Sequence, residues 1–241
     1  MLTNTNDTTF LSTLEDNSVD LCLTDPPYII SKTSGMDKLF KSGESDTKYG
    51  TKYAYATDYG KWDSDFTIDH LNNTIPEIYR KLRKGGTLIM FFDVWKIETL
   101  KNILESHKFS KIRLIEWIKT NPVPVNSKAT YLSNAREVAL SAVKGSKATF
   151  NSSYDNGLYF HPIYSGKDRF HPTQKSLPLF TELIEKHSNE GDLVIDPYAG
   201  SGTTLVAAQN LNRRWAGCEP DKEYFALTEL RLSETSSKLK T

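Results

Sequence analysis

Apolar residues recur along this chain in two rhythms. Val19 to Thr24 (VDLCLT) is a short continuous run of buried-strand character. Thr67 to Lys84 places Ile68, Leu71, Ile75, Ile78, Tyr79 and Leu82 at helical spacing, and Pro76 within it predicts a late start or a kink. Gly85-Gly86 is expected to stop that helix, and Thr87 to Phe92 (TLIMFF) to form a second buried strand. The pattern then predicts a helix over Trp95 to His107 and strands over Ile112 to Lys119 and Glu137 to Lys144. A helix over Leu177 to His187, a strand over Leu193 to Asp196 and a helix from Thr203 to Leu211 follow. A strand over Trp215 to Glu219 and a helix over Asp221 to Leu239 end the chain. Strand and helix alternate, which predicts an α/β fold with a mainly parallel sheet and helices on both faces. Two polar segments break the rhythm, Ser31 to Ser64 and Gly145 to Phe170, and long segments of this kind inside a compact domain are usually functional or disordered.

Composition changes this picture little. A chain of 241 residues allows one or two domains. A formal net charge of zero neither requires nor excludes a nucleic-acid partner, since a local basic face decides that. Cys22 and Cys218 both lie in strand-like apolar runs and read as buried, reduced thiols. No stretch approaches the roughly 18 apolar residues of a membrane span, and no signal peptide opens the chain. The expected setting is cytoplasmic, for an enzyme or a binding protein. The 5 histidines and the two distant cysteines show no metal-ligand spacing.

Two stretches carry chemistry. In Val194 to Gln209 (VIDPYAGSGTTLVAAQ) a strand ends on Asp196, and a turn holding Gly200 and Gly202 leads into a helix. Glycines there let backbone amides approach a ligand, and Glu219 ends the next strand where dinucleotide folds place a ribose-binding acid. The turn lacks the full dinucleotide fingerprint and a phosphate-loop lysine, so a nucleoside without a pyrophosphate fits better. S-adenosylmethionine is such a ligand, and Asp196 could take its amino group directly or through water. A packing glycine with no ligand is the alternative. The second stretch is TDPPYII, Thr24 to Ile30: an acid, two prolines and an aromatic directly after an apolar run. Two prolines cannot continue a strand, so the segment is either a structural turn or a set of fixed acceptors beside a ring.

Asp25-Pro26-Pro27-Tyr28, then His171-Pro172-Thr173-Gln174-Lys175, then Asp196 to Gly202 resemble, in this order, the amino-methylating (adenine-N6 or cytosine-N4) DNA methyltransferases of the permuted β group. The likeness covers nearly the whole chain. It implies a single domain over residues 1–241 with a Rossmann-like, mostly parallel seven-stranded sheet bearing one antiparallel strand near its edge. Within it, residues 1–143 would form the catalytic half, 144–170 a short target-recognition insertion and 171–241 the cofactor half. The implied reaction moves a methyl group from S-adenosylmethionine to adenine N6 in DNA, leaving S-adenosylhomocysteine and needing no metal. Asp25 and the carbonyl of Pro26 would accept the two amino hydrogens, Pro27 would hold the path of the chain, and Tyr28 would stack on the base. The base must leave the duplex to reach them. The resemblance further implies cofactor contacts from Asp25, His171, Thr173, Gln174, Lys175, Asp196, Tyr198, Gly200, Ser201, Gly202, Thr203 and Glu219, with Lys175 as partner of the cofactor carboxylate. Asp7 lies where the family often places an acid reaching the cofactor adenine, although Asn6 replaces the usual glycine before it.

An aspartate before Pro-Pro-Tyr favours adenine over cytosine N4 in this resemblance. RNA or a protein glutamine offers the same planar amino nitrogen, and a non-catalytic subunit is the remaining alternative. Both polar segments carry lysines and tyrosines suited to phosphates and to the gap left by an extruded base, diluted by acids. Thr120 to Asn126 resembles a loop lining the base pocket, and Trp117 is expected in the core. The expected partner is double-stranded DNA with an extruded base, with room for a homodimer and for a restriction endonuclease, and with no membrane.

Overall fold

The structure is a computed structural model describing residues 1–27, 67–122, 133–166, 169–171 and 173–238. Tyr28, Pro172, the segment Ser31 to Ser64 and the end of Thr120 to Asn126 lie outside the described residues. The strands are β1 (Leu2–Thr3), β2 (Val19–Thr24), β3 (Leu82–Phe92), β4 (Phe109–Lys119), β5 (Arg136–Lys144), β6 (Leu158–His161), β7 (Leu193–Asp196) and β8 (Arg214–Cys218). The helices are α1 (Asp7–Ser12), α2 (Ile68–Lys81), α3 (Ile97–Ser106), α4 (Leu177–His187), α5 (Thr203–Asn210) and α6 (Lys222–Lys238).

The strands form one sheet in the order β1-β8-β7-β2-β3-β5-β4-β6. This corrects the expected seven-stranded, mostly parallel sheet: the described sheet is eight-stranded and mixed. β5 runs antiparallel to both β3 and β4, while β4 and β6 pair in parallel. The difference has a local cause. β4 and β5 follow one another in the chain with no crossover helix among the described residues between them, and a direct return reverses direction. Pattern alone misses β1 with 2 residues and β6 with 4; β7 also has 4, but its apolar run ends on Asp196 before a glycine turn and is readable. β6 comes from within 144–170, so part of that segment belongs to the sheet.

Alternation along the central strands divides the core. Cys22, Leu88, Met90 and Phe92 face α1, α2 and α3, joining Phe10, Leu71, Ile75, Ile78 and Leu100. Leu21, Leu23, Ile89 and Phe91 face α4 and α5, joining Phe180, Leu183, Ile184 and Ala207. α6 packs through Leu232 and Phe225 beside Leu205 and Val206 of α5. Helix α2 starts where its cap lies: Thr67 accepts a hydrogen bond from the His70 amide at 3.2 Å. Pro76 sits inside it, and the helix ends at Lys81, not at Gly85-Gly86, which belong to β3. Chain order places β2 beside β7, with β3 continuing to one side and β8 to the other. In open α/β sheets that switch point is where ligands bind, beyond the carboxyl ends of the strands.

Candidate active site

A cavity of about 570 Å³ opens at the switch point, a volume usual for small-ligand sites. Asp25, Pro26 and Pro27 after β2 line it, with Asp196 at the end of β7 and Glu219 after β8. Asp7, His171, Thr173, Gln174, Lys175, Tyr198, Gly200, Ser201 and Thr203 line it as well. Segments more than a hundred residues apart in sequence thus meet in one chamber. Gly202 does not reach the wall. It is left-handed (φ 70°) at the start of α5, and a Cβ there would collide with Thr228 of α6. Its glycine is therefore demanded by the turn and by close packing.

Asp196 is fully enclosed. Its Oδ1 accepts from the Thr24 hydroxyl at 2.7 Å and the Tyr198 amide at 3.0 Å, and its Oδ2 from the Thr204 hydroxyl at 2.7 Å. Burial pushes its carboxyl up to about 6 against the pull of those donors. The carboxylate thereby ties β2, β7 and α5 together at the cavity floor. Glu219 accepts the Gly200 amide at 2.9 Å and the Asp221 amide at 2.9 Å, and burial pushes it up to about 7. Asp7 is also buried: His70 Nε2 lies 2.8 Å from its Oδ2, which accepts from Thr74 at 2.7 Å and from the Tyr198 hydroxyl at 2.6 Å. Those partners hold its carboxyl below the ordinary range although burial opposes them.

Lys175 is brought to the cavity with its ammonium between two carboxylates, 3.0 Å from Asp25 Oδ2 and 2.5 Å from Glu137 Oε2. His171 stands edge-on to Tyr224 with ring centroids 4.4 Å apart, and its Nδ1 lies 3.1 Å from the Thr173 hydroxyl. Burial, and then the charge of Lys175, bring its imidazole down to about 4, which leaves it neutral at physiological pH. The Gln174 side-chain oxygen is buried with no hydrogen-bond partner among the described residues. Sequence reasoning missed Glu137, Lys119, His70, Thr204 and Tyr224, all of which line the cavity. Glu137 is the second residue of β5, and nothing in a lone strand acid signals a site. Trp117 is buried as expected, donating its indole N–H to the His161 carbonyl at 2.8 Å, and it also reaches the cavity wall. Tyr159 belongs to the core, while Tyr154 and Phe160 of the same segment are exposed.

The wall suits an adenosine with an amino-acid tail. A buried acid follows β8, close-approach glycines follow β7, and Tyr198, Pro220 and Tyr224 supply flat apolar surface. A nucleoside site at one end of the chamber and a carboxylate before Pro26-Pro27 at the other define a Rossmann-like enzyme that brings a nucleoside cofactor to a second substrate. The particular family follows from comparison: the profile of the N6/N4 methylases, described as DNA methylase, matches residues 19–230, and the chain belongs to that family. Among its relatives is the type II methyltransferase M2.DpnII of Streptococcus pneumoniae, 31% identical over 92% of this chain and 85% of its own. M2.MboI of Moraxella bovis is 28% identical over 96% of this chain and 86% of its own. The structure of M1.HpyAVI in complex with S-adenosylmethionine superposes with a TM-score of 0.70 at 29% identity, covering 96% of this chain and 98% of the other. The chain is an S-adenosylmethionine-dependent DNA methyltransferase acting on an exocyclic amino group, at adenine N6 or cytosine N4. Among the described residues no cluster of histidine, cysteine or acidic side chains could hold a metal, and no helix is long and apolar enough to cross a membrane.

Proposed function

We propose that the enzyme methylates N6 of adenine in double-stranded DNA, with the target base extruded into the cavity. The observation that carries this reading is Asp25 leading Pro26-Pro27 into the chamber that also holds Asp196 and Glu219. An exocyclic amino group is a weak nucleophile because its lone pair is delocalised into the ring. Asp25 accepts one of its N–H bonds and the Pro26 carbonyl the other, which turns the lone pair out of the ring plane. The same acceptors stabilise the positive charge that grows on nitrogen, in a site with little water. Proline suits the second task because it presents a carbonyl and no competing N–H. S-adenosylmethionine supplies an activated methyl group when bound. Glu219 holds its ribose hydroxyls, Asp7 and Tyr198 the adenine side, and Asp196, the turn Gly200 to Thr203 and the loop His171 to Lys175 its tail end. Tyr28, next in chain after Pro27, is assigned the base-stacking role. Residues 1–143 would then be the catalytic half, 144–170 a target-recognition insertion and 171–241 the cofactor half. Relatives that are type II methyltransferases support a place beside a restriction endonuclease, and the short insertion supports a homodimer or a short target word.

The test is transfer of labelled methyl from S-adenosylmethionine to unmethylated genomic DNA, followed by nucleoside analysis. N6-methyladenine is expected. N4-methylcytosine would overturn the base assignment, and label in RNA or protein alone would overturn the substrate.

A further inference from the structure

The sheet lines up four charged side chains along one wall of the cavity. Lys119 ends β4, Glu137 lies in β5 opposite Trp117 of β4, Lys175 precedes α4, and Asp25 follows β2. Lys119 Nζ lies 2.8 Å from Glu137 Oε1, and Glu137 Oε2 lies 2.5 Å from Lys175 Nζ. Lys175 Nζ in turn lies 3.0 Å from Asp25 Oδ2. All four side chains are 20% exposed or less. Rings floor the array: Phe91 is centred 5.7 Å from the Lys175 ammonium and Trp117 5.4 Å from that of Lys119. The signs alternate, so the four charges of the array balance one another.

Stability alone is a poor reason for such an array. Replacing buried ion pairs by apolar groups of similar volume is often neutral or stabilising. Its last member is the carboxylate to which the methyl-transfer role falls. We propose that Glu137, braced by Lys119, is a positioning residue for methyl transfer: it holds the Lys175 ammonium against Asp25 and so fixes the direction from which Asp25 receives the target amino group. This rests on the amino-methylation reading above and adds three residues to it. Shared between two carboxylates, Lys175 keeps a defined place. Without Glu137 the ammonium settles onto Asp25 alone and competes with the amino N–H donors. Without Lys175, Asp25 and Glu137 face one another as like charges, which raises carboxyl pKa values.

Among the described residues, the charged groups near Asp25 include Lys175 from the loop before α4 and Asp196 from the end of β7. Behind Lys175 stand Glu137 and Lys119 from β5 and β4, and His171, which is neutral. The neighbouring carboxylates hold the Lys175 ammonium above the ordinary lysine range despite its burial. Loss of Lys175 removes the cation 3.0 Å from the Asp25 carboxylate, which favours its protonated form, whereas loss of Glu137 leaves that cation in place.

The experiment uses the full chain, with methyl transfer to DNA measured at saturating cofactor and DNA from about pH 5 to 9, and cofactor affinity measured by calorimetry. Glu137→Gln is expected to lower kcat by about 10–100-fold, the scale of a sub-ångström to ångström misplacement, with the cofactor Kd within about twofold of the parent. Lys175→Met is expected to shift the acid limb of kcat up by about one pH unit or more, and Lys175→Arg to bring it back. Should Glu137→Gln fail to fold, the Lys175 pair decides the question alone. A parental kcat in Glu137→Gln overturns the proposal. So does a lowered melting temperature and kcat in Lys175→Met with the limb unmoved, which marks a structural role. A large rise in cofactor Kd for Lys175→Met, with the limb unmoved, shows that Lys175 serves the cofactor tail alone and not Asp25, and overturns it too. Failure of the parent reading shows separately: the unmutated chain would bind cofactor and transfer nothing to DNA, and the proposal would fall with it.

Discussion

Glu219 sits after β8 with both carboxylate oxygens on backbone amides, yet burial keeps its carboxyl up at about 7. In the proposed ribose role, the hydroxyls would donate to the ionised form, so cofactor binding would favour loss of the proton. The cofactor Kd should therefore fall as pH rises through about 7, and binding near that pH should release a proton, read by calorimetry in buffers of different ionisation enthalpy. Glu219→Gln should flatten that dependence and raise Kd about 10–100-fold, the loss of hydrogen bonds to a charged group. An unaltered Kd would remove the ribose assignment. The same shift has a stability consequence of fixed sign. The folded pKa lies above the ordinary value of 4.5, so the contribution is fully present below that pH and is lost as pH rises toward 7. Asp196, raised from 3.8 to about 6, acts in the same direction. His171 and His187, brought down from 6.5 to about 4 by burial, act in the opposite direction over the same window, so the acid's share is read by difference: in urea unfolding at stepped pH, the stability of Glu219→Gln should fall less than that of the parent between about pH 4.5 and 7. Glu219 and Asp196 were legible as strand-end acids. That Asp196 is already committed to Thr24 and Thr204 as well as to the Tyr198 amide was not, because the two threonines come from other elements.

At the scale of elements, α6 holds the glycine turn in shape. The Thr228 hydroxyl donates to the Gly200 carbonyl at 2.7 Å, and Arg231 Nη1 donates to the Ser201 carbonyl at 2.7 Å. Thr228→Val keeps the volume packed against Gly202 and deletes one of these bonds. It should cost about 1–3 kcal/mol, since a part-buried carbonyl is left without its donor, and should raise the cofactor Kd severalfold; unchanged unfolding and binding would mean that the turn holds itself. The helix was readable from its apolar spacing, but its docking on the turn was not, because spacing names a buried face and not the surface that covers it. Helix α1 went unread for another reason. It has 6 residues, and it is fixed less by an apolar stripe than by its Asn6 cap and by Asp7, whose carboxylate gathers His70, Thr74 and Tyr198.

The whole molecule behaves as one cooperative body if its two core layers are joined through shared strands. Alternate residues of β2 and β3 supply both layers, Cys22 and Met90 on one side and Leu23 and Phe91 on the other. Stacking of Phe91 on Phe180, with ring centroids 5.4 Å apart, ties α4 to β3. Thermal unfolding followed by circular dichroism and by tryptophan fluorescence should give coincident transitions, raised together by S-adenosylmethionine. Two separate transitions would instead divide the chain into independently folding catalytic and cofactor halves.

The amino-acid sequence by itself determined the alternation of strands and helices, the strand-end acids Asp196 and Glu219, the turn between them and the Asp25-Pro26-Pro27 segment. Each is a local property: a period, a backbone demand or a short run of chemistry. The count and direction of the strands were decided by the tertiary structure. β1 and β6 are too short to form without a neighbour, and β5 takes its antiparallel course from pairing with β3 and β4. The tertiary structure also decided the partners of Lys175. An ammonium pairs with whichever carboxylates the fold brings within reach, and Glu137 comes to it from 38 residues away in the chain.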